Sequence, residues 1–192
     1  MPHERTFDLH FDKAAFKRWL RDQERKYEWK DGRVVQMANV TRGHSRVVAN
    51  ILRAMSARLD GDTWAVVASD FGVENEAFVR VPDILVEPEN AGDFKSRRSE
   101  RAALLFEVLS PSSADTDMIE KPAEYMSFDS LEANVLASQD ATLCWLWQHD
   151  PATRAFPATP GRIAGRDQSL AFAKLTVALP LAEIYRNIPT SE

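Results

Sequence analysis

The chain has 192 residues, 44% of them hydrophobic, with 24 Lys and Arg against 29 Asp and Glu for a net charge of −5, and a single cysteine. That length and balance suit a globular protein with room for a real core, and 1–192 is expected to form one domain. They argue against a disulfide-stapled scaffold and a polybasic nucleic-acid coat, and no apolar run approaches the ~20 residues a bilayer span needs. The opening Met1-Pro2-His3-Glu4-Arg5 lacks a leader's apolar region, so a cytoplasmic protein with no membrane partner is expected. Cys144, between apolar and aromatic neighbours, reads as a small core residue.

In chain order, Phe16, Trp19 and Leu20 have helical spacing, with Asp12 placed to cap. Tyr27 to Met37 holds Asp31-Gly32 between two strand-like runs, the pattern of a tight hairpin. Thr41 or Ser45 should then cap a helix whose apolar stripe, Val47, Val48, Ile51, Leu52, Met55 and Leu59, runs up to Gly61. Strands follow at Trp64–Ala68, at Phe71–Val73 and along Ala77–Val86, broken near Glu74-Asn75-Glu76. Residues 87–101 are polar and read as a surface loop carrying the one local basic cluster, Lys95, Arg97, Arg98 and Arg101. Leu104–Leu109 is a short apolar run closed by Ser110-Pro111, hence a buried strand. Pro111–Thr116 is turn-rich, and Pro122 opens a helix to Phe128. Ala141–Gln148, a weak edge strand within 151–165, a strand at Leu170–Val177 and a short helix at Leu181–Ile188 complete the chain. The order predicts an α+β fold, a mixed sheet flanked by helices, after an N-terminal helix and hairpin.

Two acids stand in strand-like runs: Asp83 in Val81-Pro82-Asp83-Ile84-Leu85-Val86, and Glu107 in the buried strand. An ionised carboxylate there must be paired, protonated or bound to a cation. The alternative is a sheet-edge Glu facing water. If the two faces coincide, two carboxylates converge, and hard oxygen donors of that kind suit Mg²⁺ or Mn²⁺. Lys121, just before Pro122, can bring an ammonium to stabilise negative charge, or can form a surface pair with Asp117.

Several of these residues together resemble a known family. Tyr27-Glu28, Asp31-Gly32-Arg33-Val34-Val35, His44, Pro82-Asp83, Glu107-Val108-Leu109-Ser110-Pro111-Ser112, Asp117, Lys121 and Tyr125 look like the Uma-two family of restriction-endonuclease-like proteins, from about Tyr27 to about Tyr185. The resemblance implies the PD-(D/E)XK nuclease superfamily and its fold: an Asp, a strand acid and a Lys that hydrolyse phosphodiesters with Mg²⁺. By it, Asp83 and Glu107 are catalytic metal ligands, the Val108 carbonyl is a further ligand, and nucleic acid, DNA before RNA, is the substrate. The superfamily's lysine belongs two residues after the acid, where Leu109 stands, so Lys121 is the migrated replacement. Glu28, His44 and Asp117 match as supporting residues around that site, and His44 also suits helix capping.

Two functions remain open on the sequence. The intact Asp83, Glu107 and Lys121 favour a metal-dependent endonuclease; the acidic net charge favours a non-catalytic binding or assembly module that keeps the fold. A homodimer is expected, because edge strands need cover and the C-terminal half is rich in aromatic residues.

Overall fold

A computed structural model of the chain describes residues 5–68, 70–109 and 116–189, without the side chains of 5–8, 116 and 117. Its first elements follow local chemistry. Asp12 caps α1 (Lys13–Leu20) by accepting the Ala15 N–H at 2.6 Å. Asp31 and Gly32, with φ of 46° and 88°, make the turn between β2 (Tyr27–Lys30) and β3 (Arg33–Gln36). Paired positive φ values are what splice two twisted strands in a two-residue loop. Thr41, not Ser45, caps α2 (Arg42–Ser56) through the His44 N–H. The helix stops short of Leu59: the Ala57 and Leu59 N–H groups turn back to Arg53 and Met55, and Gly61 has no left-handed φ to serve as its cap.

The remaining strands are β1 (Arg5–His10), β4 (Trp64–Ala68), β5 (Gly72–Glu74), β6 (Phe78–Arg80), β7 (Ile84–Pro88), β8 (Arg98–Ser99), β9 (Leu104–Leu109), β10 (Ala133–Ser138), β11 (Leu143–Gln148), β12 (Gly161–Ala164), β13 (Ser169–Phe172) and β14 (Val177–Pro180). They form two six-stranded sheets, β1-β3-β2-β6-β5-β8 and β12-β11-β10-β9-β7-β4, and the hairpin β13-β14. In the second sheet β9 runs antiparallel to β7 and parallel to β10. Both of its faces are covered, which is why it reads as an unbroken apolar run.

Alternation along β9 divides the interior. Leu104, Phe106 and Val108 join Val47, Ile51 and Met55 of α2 in the larger core. Leu105 points the other way, to Leu85, Phe78 and Tyr125 of α3 (Lys121–Tyr125). Glu107 shares that second face by the two-residue period. The first sheet lies between it and α1, whose Phe16 packs on Trp29, Val34 and Val79.

Several expectations change. The run Ala77–Val86 is not one strand: Val81-Pro82-Asp83 crosses between the sheets, so Asp83 stands just before β7. Pro82 has no N–H to give a ladder, and the Val81 N–H goes to a side chain. The loop 87–101 contributes β8, paired parallel to β5. The strand at 170–177 is a hairpin, β13 and β14, around Thr176 at φ 56°. Lys121 is itself helical, following a π-helical turn (Thr116–Glu120), and α3 ends at Tyr125 rather than Phe128. The short C-terminal helix, α4, covers Leu181–Ile184. The turn expected at Pro111–Thr116 lies almost wholly outside the described residues.

The large apolar side chains exposed among the described residues are Leu9, Val40, Phe94 and Ile119. The C-terminal half buries its aromatics instead of presenting them to a partner. No helix of the described residues is long and apolar enough to cross a membrane.

Candidate active site

The pairing of β7 with β9 sets the geometry. The antiparallel ladder begins at the Ile84–Phe106 pair, and Asp83 and Glu107 each stand one residue beyond it. The two acids are held very differently. Asp83 is the more open, 18% exposed at its side chain, and its Oδ2 accepts the Val108 N–H at 2.8 Å and faces His44 Nε2 at 3.0 Å. Among the described residues, both contacts fall on that one oxygen. His44 is buried by the start of α2, and its Nδ1 has no hydrogen-bond partner.

Glu107 is 4% exposed, and its Oε1 accepts the Tyr125 hydroxyl at 2.6 Å and the Lys121 ammonium at 3.1 Å. Burial, and after it the Glu107 charge, raises the Tyr125 phenol well above its ordinary value, so it stays a donor. Lys121, 3% exposed, is also 3.5 Å from Glu28 Oε1. Glu28 stands on β2 opposite Arg80 of β6, one step past the Trp29–Val79 pair. Its Oε2 takes Arg80 Nη1 at 2.8 Å, and its Oε1 takes the Val81 N–H at 3.0 Å. Burial pushes the Glu28 carboxyl up, but Lys121, Arg80 and the Val81 N–H outweigh it and hold it below the ordinary value. Arg80 uses its remaining fork on Glu124, at 2.7 and 2.9 Å, and Lys30 adds a second cation to Glu124 at 2.7 Å. A chain of alternating charges therefore runs from Glu107 through Lys121, Glu28, Arg80 and Glu124 to Lys30.

Sequence reasoning named Asp83, Glu107, Lys121, Glu28 and His44; His44 meets Asp83, Lys121 meets both Glu107 and Glu28, and Asp83 is held to the Glu107 strand through the Val108 N–H. The Asp117 side chain lies outside the described residues, and Val108 sits in the parallel ladder beside Ala137. Arg80 and Glu124 were missed, and Tyr125 was matched without a role. The signal for Arg80 was available: a charge inside the apolar run Phe78-Val79-Arg80-Val81, the same feature that marked Glu107.

No group of three or more His, Cys, Asp or Glu side chains among the described residues could by itself hold a metal ion. Two carboxylates on adjoining segments still suit a hard divalent cation, because Mg²⁺ commonly uses one or two carboxylates and keeps several waters. Asp83 and His44 line one end of a groove of about 650 Å³ between α2, the segment after β3, and the Val81–Asp83 crossing.

The fold is nuclease-like. The solved structure titled a putative nuclease belonging to DUF820, from Anabaena variabilis, superposes with a TM-score of 0.75 over 91% of this chain and 97% of that one, at 12% identity, a likeness of fold. A family model described as "Putative restriction endonuclease", Uma2, matches residues 14–159, and the chain belongs to that family. No curated protein matches the chain.

Proposed function

We propose that this protein is a divalent-metal-dependent endonuclease, hydrolysing nucleic-acid phosphodiester bonds, DNA foremost. The observation that carries the reading is Asp83 held beside the Glu107 strand, its Oδ2 on the Val108 N–H, with Lys121 on Glu107. Asp83, Glu107 and the Val108 carbonyl would hold Mg²⁺ or Mn²⁺, which supplies positive charge and acidifies the attacking water. Lys121 stabilises the negative charge that develops on the phosphoryl oxygens. The other residues position these. Tyr125 orients Glu107, His44 fixes Asp83, and Glu28 joins the Lys121 ammonium to the Val81 N–H two residues before Asp83.

Cleavage of plasmid and single-stranded substrates with Mg²⁺ or Mn²⁺, wild type against Asp83→Ala, tests the reading. Metal-dependent cleavage lost in a folded Asp83→Ala protein is expected; the same cleavage in both proteins overturns it. One observation favours the second reading, a binding or assembly module: Glu107 Oε1 is already satisfied by Lys121 and Tyr125. A Mg²⁺ titration separates the two, since a vestigial site takes up no metal through both carboxylates. The homodimer now rests on the open edges β4 and β12 of the second sheet. A monomer mass by light scattering at high concentration rejects it.

A further inference from the structure

The groove beside Asp83 carries hydrogen-bonding groups that the fold itself does not use. The side-chain amides of Gln36 and Asn39 line it, and neither takes part in any described hydrogen bond. Arg25 stands exposed at its rim and makes no described ion pair. Met37 and Val40 of the same segment as the two amides, and Leu52 of α2, add apolar surface, Val40 being 55% exposed although it is a large aliphatic residue. Asp83, His44, Glu24 and Lys26 also line it. Apolar surface, amides able to donate and accept, and the cations Arg25 and Lys26 suit a heteroaromatic ring with a polar edge, joined to a phosphate. A volume of about 650 Å³ falls within the roughly 300–1,000 Å³ of pockets that enclose a small ligand.

We infer that this groove seats one unpaired nucleotide, so that the substrate of the site is single-stranded or locally opened nucleic acid. The inference deepens the nuclease reading and rests on it for the position of the cleaved bond. The base lies against Met37, Val40 and Leu52, its edge meets the Gln36 and Asn39 amides, and the adjoining phosphodiester reaches Asp83. Reading an unstacked base by its edge is how proteins recognise single strands.

Fluorescence anisotropy on the full chain in EDTA tests this without any cleavage. The probes are a short labelled DNA strand, an RNA strand of the same sequence and a blunt DNA duplex. At least one strand should bind about tenfold tighter than the duplex, a difference of about 1.4 kcal/mol. Ala49→Trp, an exposed groove position on α2, should fill the groove and abolish that preference with the melting temperature unmoved. Gln36→Ala with Asn39→Ala should weaken the strand and leave the duplex unchanged. Equal affinity for strand and duplex, no binding of either, or a strand preference that survives Ala49→Trp overturns the assignment. The DNA and RNA arms decide the sugar. A protein that prefers strands but cleaves nothing with Mg²⁺ or Mn²⁺ fails as a nuclease and keeps the groove; one that cleaves duplex without preferring strands does the reverse.

Discussion

The two faces of β9 solve different problems with alternate residues of one strand. Toward α2, Leu104, Phe106 and Val108 enter an apolar core, where the buried amide of Asn50 donates to the Ile184 and Arg186 carbonyls and ties α2 to α4. Toward α3, Glu107 meets buried ions compensated mainly by one another, with help from the Tyr125 hydroxyl and the Val81 N–H. Apolar packing stabilises and tolerates small shifts, whereas desolvated charges hold only where their partners are placed. The α2 face thus supplies stability, and the α3 face uses some of it to keep charged groups near Asp83.

The strongest way to break this contrast is Arg80→Met. It takes from Glu28 and Glu124 their shared cation, leaving each one weaker cationic partner, Lys121 or Lys30, and removing one partner of a buried ion pair costs about 3–5 kcal/mol. Urea unfolding reads this directly; a loss under about 1 kcal/mol, the worth of an exposed pair, would mean that the network is solvated. Next comes Lys121→Met, which also loses stability by taking a buried cation from Glu107 and Glu28, and whose folded protein should cleave about 10²–10³ more slowly, roughly 3–4 kcal/mol in the barrier. Retained cleavage in a well-folded variant would make Lys121 structural only. On the other face, Ile51→Ala should cost about 2–5 kcal/mol by leaving a cavity in the apolar core. It should leave the pH dependence of stability as it is in the wild type.

That pH dependence sharpens the comparison. Burial opposes ionisation of Glu28 and Glu124, but Lys121, Arg80 and Lys30 prevail and depress both carboxyls from the usual 4.5. A carboxyl with a lower folded than unfolded value stabilises fully above 4.5, and this contribution is lost as pH falls through the folded value. Stability should therefore drop steeply below pH 4.5 in wild type and Ile51→Ala, and less steeply in Arg80→Met. The smallest effect has the opposite sign. Asn134 of β10 is fully buried on the α3 face, and neither amide atom has a hydrogen-bond partner. Asn134→Leu should raise stability by about 1 kcal/mol, the low end of an unsatisfied group's cost. A lower melting temperature would mean that the amide has a partner, such as bound water.

Much of the site could be read before the fold, because its signals are local. Asp12, Thr41 and the Asp31-Gly32 turn act within a few residues, so their chemistry alone settles α1, the start of α2 and the first hairpin. Glu107 was conspicuous as a charge in an apolar run, and Asp83 and Lys121 came with the family pattern around it. The α+β class followed from the order of the elements. Other features had no local signature. β10 carries Ala133, Asn134 and Ala137, residues of little strand propensity, and is a strand because β9 and β11 pair on either side of it. The crossing at Val81-Pro82-Asp83 looked like the middle of one strand, and only the separation of the two sheets turned it into the entrance of β7. Whether Glu28 meets Arg80, and whether Lys121 reaches both Glu28 and Glu107, depends on register between segments far apart in sequence. A register error of one residue would send each of those side chains to the opposite face. Residue types and caps were therefore determined along the chain, while the partners of every buried charge were decided by strand pairing in the tertiary structure.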